Sequence, residues 1–192
     1  EFSPFFLDEA ISKIGQNLKY DIKVLHKYGI EIIGNNFDTM IAHYLINPDM
    51  RHNMDVLSET YLSYQPVSIE SLIGKKGKNQ KNFRDVPLAE QTEYGVEDSD
   101  ITNQLKKLFE PELIKANTYK LFTDLEMPLM QVLADMELEG VNLDVPFLQE
   151  LSVKHEITLR ELEAKIQEDA GEEFNLNSPK QLGDILFDKL QL

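Results

Sequence analysis

The chain has 192 residues, 42% of them hydrophobic and 28% charged, with a formal net charge of −15 and no cysteine. That composition suits a globular protein with a real core, and it excludes disulfides, thiolate metal sites and a cysteine nucleophile. There is no apolar run long enough to cross a bilayer and no signal-peptide pattern. The absence of cysteine is compatible with a cytoplasmic protein, and a monomer without membrane contact is expected.

In chain order, residues 11–15 lead into a short strand. Ile22, Val24 and Leu25 give helical spacing over 21–27, with Gly29 as the C-cap. Ile30, Ile32 and Ile33 read as a buried strand ended by Gly34-Asn35-Asn36. Asp38-Thr39 caps a helix through Ile46, whose apolar members are Met40, Ile41, Tyr44 and Leu45, and Asn47-Pro48 stops it. A short helix over 54–62 follows, then a loop from Gly74 to Arg84 rich in glycine and lysine. Pro87 suits a helix first turn, and the helical pattern holds to Phe109, where Pro111 interrupts it.

Beyond residue 115 the pattern changes to long helices. Leu121, Leu125, Leu129, Val132, Leu133 and Met136 form a stripe expected to pack a core, with Pro128 as a kink. Gly140 ends that helix. Another runs from Asp144 to about Ala170 with a charged, solvated face, and Asn177-Ser178-Pro179 opens a last one. The expected architecture is therefore α/β to about residue 114 and all-α afterwards. Two candidate strands are too few for a sheet, so the chain is expected to begin partway into its first domain.

Acidity is concentrated late. Basic minus acidic residues leave −2 over 1–80, −4 over 81–114 and −9 over 115–192. An acidic chain is a poor generic binder of phosphate backbones. The local exception is the loop with Lys75, Lys76, Lys78, Asn79, Lys81 and Arg84, which reads either as a phosphate-touching loop or as a solvated one. The four histidines show no zinc-ligand spacing.

Tyr94 and Asp98, four apart in a helical segment, share a face that Ile101, Leu105 and Leu108 continue. An aspartate on an inward face requires a partner or a metal, and a phenol one turn away can position a water. The alternative for Asp98 is a carboxylate paired with a lysine or an amide. For Asp21 it is a helix N-terminal carboxylate satisfied by backbone amides. Tyr94 alone also reads as a core aromatic.

Several segments in order carry a resemblance. Asn17-Leu18-Lys19-Tyr20-Asp21, Phe37-Asp38-Thr39-Met40, Arg51-His52-Asn53-Met54-Asp55, Gly77-Lys78-Asn79-Gln80 and Tyr94-x-x-x-Asp98 resemble the exonuclease region of family A DNA polymerases of the bacterial polymerase I type. Glu126-Met127-Pro128-Leu129, Leu138-Glu139-Gly140-Val141 and the run from Gly171 to Leu182 are similar to that family's entry into the polymerase domain and thumb. The resemblance spans nearly the whole chain, and its specificity lies in order and spacing.

That resemblance implies an incomplete ribonuclease H-like 3′→5′ exonuclease domain over 1–114 and the start of an all-α polymerase segment over 115–192. It implies DNA and dNTPs as partners in the parent protein, and Mg²⁺ or Mn²⁺ as cofactor. Asp98 would hold the metal that activates water, Asp21 would serve a second metal, and Tyr94 would orient the nucleophile. Asn17, Lys75, Lys76, Lys78 and Asn79 would touch substrate. Two metals about 3.5–4 Å apart stabilise both the attacking and leaving oxygens of an in-line displacement. Such exonucleases also need an Asp-x-Glu pair ahead of Asn17, and none is present: Asp124-Leu125-Glu126 and Asp135-Met136-Glu137 have the spacing but the wrong place. A fragment inactive by itself is the expectation. A ribonuclease D-like exonuclease and a proofreading-dead DNA-binding scaffold are the alternatives.

Overall fold

The computed structural model describes residues 2–191 and divides into two units, residues 1–140 and 141–192. In the first unit, a short helix α1 (Ser3–Phe6) precedes strand β1 (Ile14–Gly15), helix α2 (Leu18–His26) and strand β2 (Phe37–Asp38). β1 and β2 pair in parallel, with Ile14 opposite Phe37 and Gly15 opposite Asp38. A mostly helical chain with a small parallel sheet in its first unit is the architecture expected of a partial α/β domain followed by helices.

Ile30 to Ile33 is not a strand. The Ile33 N–H donates to the Phe6 carbonyl at 3.1 Å, and its carbonyl accepts from the buried Lys13 ammonium at 2.8 Å. Scattered partners replace a ladder, so β-branched content here yields an extended but unladdered segment. Gly34 ends it at φ +94°, where a Cβ would meet the Glu9 backbone at 2.9 Å.

Helix α3 (Thr39–Ile46) is capped by Asp38, whose side chain accepts from the Met40 and Ile41 amides. Its buried face is Thr39, Ala42 and His43, one step round from the expected apolar members; Tyr44 is exposed. α4 (Met54–Leu57) continues into a π-helical turn, Ser58–Leu62. α5 (Ile69–Ile73) then leads to the basic loop, which ends in a 3₁₀ turn, Phe83–Asp85.

The longest helix of the domain, α6 (Leu88–Lys115), runs through Pro111 without a break. Pro111 and Lys107, whose carbonyl the proline leaves without an N–H, are both exposed, so that helix face is open to solvent. Ile101, Leu105, Phe109 and Leu113 are its buried stripe, whereas Leu108 is exposed. These residues form the main core with Phe37, Ala42, Leu57 and Phe122.

α7 (Tyr119–Leu121) passes through a π-helical turn, Phe122–Glu126, into α8 (Met127–Glu139). Pro128 sits in the first turn of α8, and the irregularity falls in the π turn just before it. Leu121, Leu125, Leu129, Val132, Leu133 and Met136 are all exposed, so that stripe is not core. Phe122, Met130 and Ala134 are buried instead, and Met130 and Ala134 cluster with Leu18, Ile22 and Ile32. α2 selects the face: Lys19 and Lys23 both pair with Glu137 and pull its carboxyl down to about 2.

The second unit holds α9 (Val145–Ala170), capped by Asp144 through the Phe147 amide, and α10 (Pro179–Gly183), capped by Ser178. Gln167 brackets Phe174 through both of its backbone groups at 2.9 Å. No helix among the described residues is long and apolar enough to cross a membrane.

Candidate functional site

The middle of α6 places Tyr94 and Asp98 together, both half-buried. Burial holds the Asp98 carboxyl above its ordinary range, interaction with the Tyr94 hydroxyl lowers it, and Glu97 and Asp55 raise it again. The Tyr94 phenol is pushed up to about 12 by burial and then by Asp98, so it keeps its proton and remains a donor at any physiological pH. Asp98 has no basic partner among the described residues, which removes the alternative of a lysine-paired carboxylate.

Glu97 faces elsewhere. It accepts from the Tyr64 hydroxyl at 2.5 Å and from the Val67 amide at 2.8 Å, fastening the 64–67 segment to α6. The Phe83 ring stands edge-on to Tyr94 with centroids 5.6 Å apart. This contact ties the end of the basic loop to the Tyr94 face, and its sequence separation hid it from periodicity. Lys75, Lys76, Lys78 and Asn79 are exposed. Gln80 closes the loop on itself through the Gly74 carbonyl at 3.2 Å, and the Lys81 amide returns to the Ile73 carbonyl at 2.8 Å.

Asn17 and Asp21 begin α2. Asn17 is the N-cap, in the left-handed region at φ 66° and ψ 50°, and its side chain makes no capping bond. Asp21 is half-buried, and its carboxyl is raised by burial and by the charge of Asp38. It too lacks a basic partner. Asp38 supplies its charge from the sheet, while the groups that perturb Asp98 come from α4 and α6. Among the described residues, no group of three or more acidic or histidine side chains converges to hold a metal ion.

Sequence periodicity missed a buried polar chain beside this region. Thr39 Oγ1 shares its one proton between the Gly15 carbonyl, at 3.1 Å, and the Gln16 side-chain oxygen, and Gln16 Nε2 donates to the His52 carbonyl at 2.7 Å. His52 in turn meets the fully buried His43. The chain links the β1 end to the turn that leads into α4.

The fold, the order of the motifs and the Tyr94–Asp98 face define a class. The 3′-5′ exonuclease profile matches residues 1–114, and the chain belongs to that family. The DNA polymerase family A profile matches residues 145–192. Among curated relatives, the chain is 40% identical over 186 residues to DNA polymerase I of Rhizobium leguminosarum, covering 96% of this chain and 18% of that protein. It is 41% identical over 176 residues to DNA polymerase I of Bacillus subtilis, covering 91% of this chain and 19% of the relative. The chain thus spans about a fifth of the length of the relatives it matches. The POL domain of Pol1 from M. smegmatis, in complex with DNA primer-template and dNTP, has the same fold: TM-score 0.80 and 24% identity, covering 100% of this chain and 30% of that one.

Proposed function

We propose that this chain is a section of a DNA polymerase I, and that residues 1–114 contribute to a 3′→5′ exonuclease while residues 115–192 begin the polymerase domain. The observation that carries the reading is the Tyr94–Asp98 pair on α6, which falls inside the part matched by the exonuclease profile and upstream of the part matched by the polymerase profile. DNA, as a single-stranded 3′ end and as primer-template, and dNTPs are then the partners, and the cytoplasm the compartment.

The donor chemistry fits a divalent cation. Asp21 and Asp98 offer hard oxygen donors suited to Mg²⁺ or Mn²⁺, and each is held above its ordinary range with no basic partner. They are too few to complete a coordination shell by themselves. When bound, the metal would lower the pKa of water and stabilise charge on the phosphate. The chain's own groups do the rest. The Tyr94 hydroxyl, protonated, donates to and orients the attacking water beside Asp98. Asn17 and the Lys75, Lys76, Lys78 and Asn79 loop bind the strand.

The absence of a three-donor cluster among the described residues favours a second reading, a nuclease-silent scaffold that binds DNA. A ribonuclease D-like enzyme is disfavoured by the family A polymerase match at 145–192. Assaying the intact protein for Mn²⁺-dependent 3′→5′ degradation of single-stranded DNA separates the two that remain. Degradation supports the proposal, and intact oligonucleotide with normal primer extension leaves the scaffold.

A further inference from the structure

We infer that Asp38 is a positioning residue for the start of α2, clamping Asn17 and Leu18 so that the strand-binding end of that helix keeps one conformation. The inference rests on the exonuclease reading and deepens it. Asp38 is 1% exposed and has no cation partner among the described residues. Its charge is met by backbone amides from two helices. Oδ1 accepts from Met40 at 2.8 Å, Ile41 at 3.2 Å and Asn17 at 3.3 Å, and Oδ2 accepts from Leu18 at 2.7 Å.

A helix N-cap needs only the first two of these bonds. The other two cross twenty residues of sequence to satisfy the orphan amides that open α2. The shorter falls on Leu18, the first residue of α2, and the longer on Asn17, which is held in the left-handed region without a side-chain cap of its own. Two helix N-termini facing one carboxylate stabilise its charge, and that charge fixes the two helix starts relative to each other. Asp21, one turn into α2, inherits its placement from the same clamp.

Asp38→Asn in the intact protein tests this. The amide keeps an Oδ1 acceptor for α3 and sets an NH₂ group against the Leu18 N–H. Hydrogen exchange across the start of α2 is expected to accelerate about tenfold, the scale of one lost bond to a charged acceptor. Affinity for a single-stranded oligonucleotide in EDTA is expected to fall by a similar factor, about tenfold, while α3 protection and primer extension stay unchanged. Asp38→Ser, a good N-cap too short to reach Leu18, should give the same pattern. Unchanged exchange at α2 overturns the inference, as does faster exchange with unchanged oligonucleotide affinity. Loss of α3 protection together with α2 in both variants makes Asp38 a fold determinant only and also overturns it. A wild-type protein that degrades no DNA removes the exonuclease reading instead, and exchange and metal-free binding still judge Asp38.

Discussion

Nδ1 of His43 lies 2.7 Å from Nδ1 of His52, so one ring carries its proton there and the other accepts it. The far nitrogen of His43 is 3.0 Å from the Tyr61 hydroxyl, and its ring stacks near Phe109. Burial, and then the neighbouring His52, push His43 down to about 4. A histidine depressed in the folded state leaves the unfolded chain binding more protons between that value and about 6.5, so stability rises with pH across this window. Its contribution is complete above pH 6.5 and lost as pH falls towards 4. Urea unfolding at pH 7 and pH 5 should show a difference on the order of 2 kcal/mol that disappears in His43→Gln. The same difference in the variant would assign it to other groups.

Phe109 is 1% exposed and packs against both His43 and Tyr61. Phe109→Ala should destabilise the protein by about 3–5 kcal/mol, because the surrounding rings cannot collapse into the space. Leu108→Ala, one residue away on the exposed face, should change stability by about 0.5 kcal/mol or less. Chemical denaturation of the two variants checks the pair, and equal losses would contradict the α6 register described here.

Much of this fold was legible because the signals were local. Asp38 before Thr39 announced a helix cap and Asn47-Pro48 its end, and Tyr94 and Asp98 share a helix face because four-residue spacing requires it. What sequence patterns could not supply were choices made by distant partners. The exposed Leu121–Met136 stripe has flawless helical spacing, yet Lys19, Lys23 and the α2 apolar residues select the adjacent face. Ile30–Ile33 has strand composition, yet Lys13 and Phe6 supply its bonds. Asp38 was visible as a cap and invisible as a clamp, since the Asn17 and Leu18 amides lie across the sheet.

Lys75, Lys76 and Lys78 are exposed on the basic loop, where the proposed reading has them touch the strand. Replacing Lys75, Lys76 and Lys78 with alanine should weaken single-stranded DNA binding by the intact protein. The slope of log affinity against log salt should become shallower by about 2, the value for three phosphate contacts on a single strand. Fluorescence anisotropy across a salt series measures it. An unchanged slope would make the loop a solvated one.

Tyr94 keeps its proton up to about 12, so in the proposed mechanism it acts as a donor and should leave no inflection in a nuclease pH–rate profile below pH 10. Tyr94→Phe retains the ring that packs on Phe83 and removes the hydroxyl. The nuclease rate should fall about tenfold or more with little change in stability. A basic limb titrating near pH 8–9 in the wild type and absent in the variant would make the phenol a base instead.

The most direct measurement is 3′→5′ degradation of a single-stranded oligonucleotide by the intact protein carrying Asp98→Ala, with primer extension measured on the same preparation. A metal-holding role for Asp98 predicts a nuclease rate reduced by at least about a thousandfold and primer extension at the wild-type rate. Nuclease activity at the wild-type rate in that variant would contradict it.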